Sequence, residues 1–316
     1  MNEYICCIGY LVKREEGKII IIANAALVLF FFLKLMNIIN YLNTRKYITD
    51  IYLTIGKLSP NQPFFSIIIP VFNRIKYLNR SLKSILIQSY KSFEIVYCDD
   101  CSKDGSPNFI QNLKHIYPHI TFIKHDKNYG TLNTRVDAIK ASTAKYITSL
   151  DPDDEFKKDL LLFLYSYLSH EHYDIIEFRS NTNCGNETEC QMIFPSYELN
   201  RTMVFKKPDL LWSLVYKCFY REILLKGISH IAPRLFNLNL SIAEDMVILS
   251  YSLVFCKRYL VTYFVGYVYY KNQPGSSSTY SYFSKKRARR LLYITSNYVT
   301  DFLKRYNLSY VRTTLY

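Results

Sequence analysis

Past Pro63 the chain alternates between short unbroken apolar runs and longer stretches whose apolar residues recur at helical spacing. Phe64-Phe65-Ser66-Ile67-Ile68-Ile69-Pro70 has the β-branched character of a buried parallel strand. Tyr77, Leu78, Leu82, Ile85 and Leu86 then follow a helical period, with Tyr90 near the end of that helix. Residues 93–97 read as a second strand that delivers Asp99 and Asp100 to its C-terminal end. A helix around 109–116, a strand at 120–124, a helix over 131–141 and an apolar strand over 146–150 complete the series. Such βα alternation predicts an α/β fold on a mostly parallel, doubly wound central sheet flanked by helices.

The pattern loosens beyond residue 157. Helices are expected at 160–168, 217–225 and 246–256, and a strand at 174–178. A polar loop occupies 181–191, and 259–270 reads as a strand or strand pair ending at Gln273-Pro274-Gly275. The tail, 276–316, carries Lys285, Lys286, Arg287, Arg289 and Arg290 on a helix continuing to about residue 306. A basic helix is ordinarily a solvated face, and contact with a membrane surface is the rival reading.

At the other end, residues 1–62 form an extension joined through the Leu58-Ser59-Pro60-Asn61-Gln62-Pro63 linker. Residues 19–33 are apolar except for Asn24, and the run continues weakly to 39. That approaches the roughly twenty residues a bilayer-spanning helix needs. The expectation is an N-terminal hydrophobic helix over 19–39 acting as a single membrane anchor. The alternative is a helix packed on the main domain, which would leave the protein cytoplasmic. Basic residues flank the run on both sides, so orientation stays open.

The chain has 316 residues, enough for one catalytic-size domain with appendages. Its formal net charge of +14 suits anionic partners without choosing among them. Tyr (30) and Phe (20) are abundant and Gly (9) is scarce, which excludes a fibrous or disordered composition. The eight cysteines show no disulfide framework, although Cys184 and Cys190 share the polar loop. Cys98-x2-Cys101 followed by His115-x3-His119 falls within zinc-finger spacing and would imply a nucleic-acid binder. Against it, Pro118 sits between the histidines, where a finger needs helix, and the two cysteines bracket the end of a buried strand.

The densest candidate chemistry is Ser149-Leu150-Asp151-Pro152-Asp153-Asp154-Glu155-Phe156. Pro152 and the acidic residues end the preceding strand and crowd carboxylates at its C-terminal end, where α/β sheets bind ligands. Carboxylates this close repel unless a cation sits among them. Hard oxygen ligands of this kind suit Mg²⁺ or Mn²⁺ carrying a diphosphate. A solvated acidic turn is the alternative reading of the same residues.

Taken in order, these segments resemble family 2 glycosyltransferases with the GT-A (nucleotide-diphospho-sugar transferase) fold. The resemblance rests on Pro70-Val71-Phe72-Asn73, on Gln88-Ser89-Tyr90 with Phe93-Glu94, on Asp99 to Ser106, and on Asp151-Pro152-Asp153-Asp154. It covers roughly residues 64–156. It implies a GT-A domain over 63–275, with a nucleotide-binding half (63–156) and an acceptor half (157–275). By resemblance Pro70, Phe72, Asn73, Asp99, Asp100, Arg135 and Asp153 bind the nucleotide. Phe72 would lie against the base, Asp100 would accept its N–H, and Arg135 would face the diphosphate. Asp151, Asp153 and Asp154 would hold Mn²⁺ or Mg²⁺. Glu244-Asp245 resembles the family's acidic pair, making Asp245 the general base, and Lys217-Cys218-Phe219-Tyr220-Arg221 resembles the basic segment that precedes it.

The implied reaction moves a sugar from a nucleotide-diphosphate donor, UDP-linked, to a hydroxyl of a saccharide, lipid-linked or protein-linked acceptor, with inversion. No nucleic acid is involved in that reading. The single tryptophan, Trp212, does not follow an arginine, so the processive synthases' Q-x-x-R-W motif is absent and a non-processive enzyme is expected. Where the family has glycine in the Asp99–Asp100 turn, this chain has Cys101, which raises the question of a positive φ there. A member that keeps the fold and binds nucleotide or a partner without catalysis is the alternative.

Overall fold

The computed structural model describes residues 4–7, 10–15, 18–23, 63–182, 197–206, 212–271 and 282–308. The linker through Gln62, most of the 19–39 run, the loop with Cys184 and Cys190, and the Gln273-Pro274-Gly275 turn lie outside the described residues. The chain divides into two units, residues 1–56 and 57–316.

In the first unit, β1 (Tyr4–Cys7), β2 (Tyr10–Glu15) and β3 (Lys18–Ala23) form an antiparallel sheet in the order β1-β2-β3. The helix expected from residue 19 is therefore corrected over Ile19–Ala23, which pair with β2 from Arg14↔Ile19 to Tyr10↔Ala23. Four consecutive isoleucines favour extended backbone, because branching at Cβ crowds a helix. Among the described residues no helix is long and apolar enough to cross a membrane.

The second unit begins with the alternation seen in the sequence. Its elements are β4 (Phe65–Val71), α1 (Ile75–Leu86), β5 (Phe93–Asp99), α2 (Ser106–Ile116), β6 (Ile120–Lys124), α3 (Thr131–Ala141) and β7 (Tyr146–Ser149). Then come β8 (Glu155–Phe156), α4 (Leu160–Leu168), β9 (Ile175–Ser180), β10 (Tyr197–Leu199) and α5 (Arg201–Lys206). β11 (Lys217–Tyr220), α6 (Arg221–Ser229), α7 (Pro233–Phe236), α8 (Glu244–Leu253), β12 (Tyr259–Val268) and α9 (Tyr282–Lys304) follow.

The described strands of this unit join one sheet ordered β10-β12-β9-β11-β7-β4-β5-β6, with β8 paired to β12. The pairs β7-β4, β4-β5 and β5-β6 are parallel, as the βα series requires. Beyond β7 the sheet is mixed, because β11 runs antiparallel to both β7 and β9. Residues 217–220, expected within a helix, are that inserted strand, and the helix starts only at Arg221. Cys218 and Phe219 are buried between two strands, a setting that rewards an extended aromatic-rich run. One face of the sheet, through Ile68, Val96, Cys98, Ile147 and Phe219, shares a core with α3, α6, α8 and the C-terminal half of α9.

Two details of this frame prepare the site. Glu94, on β5, accepts from Ser66 Oγ (2.5 Å) and from the amides of Thr143 (2.5 Å) and Ala144 (3.2 Å). It thereby ties the turn between α3 and β7 to the centre of the sheet. Gly130, just before α3, has φ 87, and a Cβ there would lie 2.4 Å from Asn239 Oδ1 and 2.8 Å from Leu240 N. Only glycine permits both the backbone conformation and that close approach.

Candidate active site

The strand order reverses direction between β4 and β7, since the chain runs β4, β5, β6 to one side and returns to the other. Crevices at such reversals are where open α/β sheets take ligands. Pairing of β4 with β7 stops at Ile68↔Ser149. Beyond it Pro70 stands where no donor is required on that side, a place a strand proline tolerates. The gap continues into a cleft of about 400 Å³ lined by Pro70, Phe72, Arg74, Asp100, Arg135 and residues 151–154, with Ser241, Glu244, Tyr269 and Tyr270. Phe72 is 45% exposed, an unusual cost for so large an apolar ring unless something covers it.

The turn after β5 shows how the motif Asp99 to Ser106 is used. Asp99 is fully buried and its Oδ1 accepts from Ser102 N at 2.9 Å. Ser102 Oγ accepts from Asn73 N (2.8 Å), and Asn73 Oδ1 accepts from Lys103 N (2.8 Å). Asp104 accepts from Ile75 N (3.0 Å) and Ser106 N (2.9 Å), so one carboxylate serves the first turns of both α1 and α2. Although burial opposes it, these hydrogen bonds hold the Asp104 carboxyl below its ordinary range. Asn73 and Asp99 thus do not line the cleft. They fasten the β4 and β5 ends that form its wall.

Asp100 does line the cleft, yet it is 3% exposed and largely engaged. Its Oδ1 accepts from Tyr129 N (2.8 Å) and pairs with His125 Nδ1 (2.9 Å), while Oδ2 accepts from Gly130 N (2.8 Å). His125 reaches on to Asp137 Oδ2 at 3.2 Å. Cys101, where glycine was expected, has φ 63, so it takes up the left-handed conformation itself.

Arg135 is the electrostatic centre. Carried on α3 and 3% exposed, it donates to Ser149 Oγ (2.6 Å) and Asp151 Oδ1 (2.9 Å). Its Nε lies 3.5 Å from Asp245 Oδ1 and 4.0 Å from Glu244 Oε1. Burial works against its charge, but Asp245, Asp151 and Glu244 outweigh that and raise its pKa. Arg135 therefore joins the acidic end of β7 to the acidic start of α8.

The carboxylates around it carry strain of the opposite sign. Burial, with Asp151 adding to it, pushes Asp154 up to about 8. Asp154 is 1% exposed and accepts from Tyr267 Oη (2.8 Å) and Tyr270 N (2.9 Å). Burial and Asp151 also raise Asp153, whose Oδ2 is 3.8 Å from Arg74 Nε. Glu244 is pushed up to about 8 by burial and by Asp245, and burial raises Asp245 as well. Asp245 does not line the cleft, but its Oδ1 is buried without a hydrogen-bond partner among the described residues. Ala243, just before α8, has φ 67, so the acidic pair is presented by a strained left-handed residue.

Hard oxygen donors crowded at one strand end fit a divalent cation in chemistry. Among the described residues, no three His, Cys, Asp or Glu side chains are arranged as a metal cluster. Cys98, Cys101, His115 and His119 likewise do not converge: Cys98 is buried in β5 against His125 (3.5 Å) and His115 sits in the last turn of α2.

Residues not singled out in the sequence complete the walls. Arg80 donates to the Asp153 carbonyl, lies 3.4 Å from Glu155 and stacks its guanidinium 3.8 Å from the centre of the Tyr270 ring. Tyr267 and Tyr270 arrive from β12 and just beyond it, more than a hundred positions after Asp154. Nothing local marks them in a chain with 30 tyrosines. Glu244 carried a signal, the acidic pair, but spacing does not say which member faces the cleft.

The chain is similar to known proteins in sequence and in fold. The sequence model of "Glycosyl transferase family 2" matches residues 66–223. Over 239 residues the chain is 28% identical to the minor teichoic acid biosynthesis protein GgaA of Bacillus subtilis, covering 72% of this chain and 52% of GgaA. The chain thus spans about half the length of that relative. Among solved structures, S. aureus TarS 1-349 in complex with UDP-GlcNAc superposes with a TM-score of 0.59 at 19% identity, over 74% of this chain and 66% of that one. Mannosyltransferase PcManGT from Pyrobaculum calidifontis, in complex with GDP-Man and Mn²⁺, gives 0.51 at 15% identity, over 78% and 70%. At these identities the likeness is one of fold.

Proposed function

The chain belongs to glycosyl transferase family 2, and from that premise we propose that it moves a sugar from a UDP-linked donor to an acceptor hydroxyl with inversion, one sugar at a time. The observation that carries this reading is the cluster of Asp151, Asp153 and Asp154 facing Arg135 and the α8 acids across the β4/β7 crevice, below an exposed Phe72. The UDP-GlcNAc bound by TarS supports a nucleotide-sugar donor, and the Mn²⁺ bound by PcManGT supports a divalent cation.

In this mechanism Phe72 covers the base and Asp100 stiffens the wall beside it. Asp151 and Asp153, with Asp154 behind them, would hold Mn²⁺ or Mg²⁺. That ion supplies, when bound, positive charge to the departing diphosphate. Arg135 keeps Asp151 and Asp245 in place and stays charged while doing so. Asp245 accepts the proton of the acceptor hydroxyl as its oxygen bonds to the anomeric carbon and the bond to the diphosphate breaks on the opposite face. Asp245 Oδ1, which accepts no hydrogen bond among the described residues and lies 3.5 Å from Arg135 Nε, is the oxygen that takes that proton. An acceptor of the carbohydrate class accords with GgaA's role in teichoic acid biosynthesis.

The test is titration of UDP into the full chain with and without Mn²⁺, for the wild type, Asp153→Ala and Asp245→Asn. Metal-dependent binding should be lost in Asp153→Ala and kept in Asp245→Asn. Turnover of a UDP-sugar by Asp245→Asn should fall about 10²–10⁴-fold, the usual contribution of a general base. A folded wild type that binds no UDP would sink the proposal. UDP binding without any sugar release or transfer would leave a nucleotide-binding member of the family without catalysis.

A further inference from the structure

Beside the cleft lies a second cavity of about 270 Å³ that shares Phe72, Asn128 and Ser241 with it and adds Asn239, Arg287 and Leu291. Two of these come from α9, which lies wholly outside residues 66–223 matched by the family. No motif of the resemblance reaches it.

The helix is firmly seated at its far end. Phe302 stacks on Tyr251 of α8 with ring centres 4.0 Å apart and planes 12° from parallel. Thr295, Val299 and Leu303 are fully buried at spacings of four, one stripe of a helix. Continued toward the N-terminus, the same stripe reaches Leu291, half-buried, and then Arg287, exposed at the cavity. A stripe that is buried where it meets the core turns cationic where it lines the cavity beside the donor cleft.

The charge inside the cleft gives that change a purpose. Its lining holds five carboxylates, Asp100, Asp151, Asp153, Asp154 and Glu244, against two arginines, Arg74 and Arg135. Arg135 is committed to Asp151 and Asp245, and Arg74 lies 3.8 Å from Asp153. A nucleoside diphosphate entering there meets few available cations. Arg287 has no hydrogen-bond or ion-pair partner among the described residues. Its planar fork suits phosphate oxygens.

We infer that Arg287 binds the diphosphate of the donor, so that α9 forms part of the donor site. This rests on the nucleotide-sugar reading above. The experiment is isothermal titration of UDP and of uridine, in the presence of Mn²⁺, into the full chain as wild type, Arg287→Ala, Arg287→Lys and Arg289→Ala. Arg289 is exposed on the same helix and does not line the cavity, so it controls for general charge. Arg287→Ala should weaken UDP about tenfold, the scale of one charge-assisted hydrogen bond, and leave uridine unchanged within about twofold. Arg287→Lys should recover part of the loss and Arg289→Ala should show none. Equal UDP affinity in wild type and Arg287→Ala, an equal loss for uridine, or the same loss in Arg289→Ala would overturn the inference while leaving the donor reading intact. A wild type that binds no UDP would remove the donor reading and the inference with it.

Discussion

Cys101 and Ala243 hold left-handed backbone, φ 63 and 67, one at each acidic wall of the cleft. A side chain there brings Cβ against the following carbonyl, at about 1–2 kcal/mol. For Cys101 the compensation is small: its thiol donates to the Asp126 carbonyl at 3.3 Å and lies 3.2 Å from Lys103 Nζ. Cys101→Gly should therefore stabilise the fold by about 1 kcal/mol, read as a rise in the thermal midpoint. A fall would mean that the thiol contacts outweigh the strain. The same residue scale separates acids that look alike in sequence. Asp99 Oδ1 and both oxygens of Asp104 accept from backbone amides, whereas Asp151 and Asp153 face the cleft. Motif spacing named all of them together, because spacing reports proximity along the chain and not which oxygens are already bonded.

At the scale of elements, the site depends on α8 being pressed close to α6. A Cβ on Gly227 would lie 2.5 Å from Ser252 Oγ and 2.7 Å from Ser252 Cα, so the helices meet nearly backbone to backbone. Gly227→Ala must move them apart, at about 1–3 kcal/mol of stability in a chemical-denaturation curve. Because Glu244 and Asp245 open α8, the shift should also alter their distance to Arg135 and lower turnover more than UDP affinity. Unchanged stability would show that the pair has room to slide. Elements of the βα series were legible from the chain, several to the residue, as with 120–124, 131–141 and 160–168. β11 was not, since four residues that read as part of a helix become a strand only between β7 and β9.

Across the whole molecule, raised carboxyl pKa values make stability depend on pH. Glu244 keeps its proton in the folded chain to about pH 8, against an ordinary value of 4.5. Below the ordinary value both folded and unfolded chains hold the proton, and the group is neutral to stability. Between the two values only the unfolded chain releases it, so stability falls as pH rises and the loss is complete above about 8. Asp154 acts in the same direction. The thermal midpoint without added metal should therefore drop between about pH 5 and 8. Glu244→Gln should flatten that slope and raise the midpoint at pH 8 by about 2–4 °C, what ~1 kcal/mol yields in a large domain. A midpoint that rises with pH over this range would contradict the assignment.

The sequence by itself determined the βα series and put carboxylates at the ends of β5 and β7, because strand-forming runs and the turns that end them are local properties. It also determined the family, through segments whose order survives without any knowledge of contacts. Tertiary structure alone decided that Arg135 faces Asp151 and Asp245, that Tyr267 and Tyr270 hold Asp154, and that the start of α9 reaches Phe72. Those partners are brought together by sheet order and helix packing. Their charges repel or attract only once burial has removed the water between them.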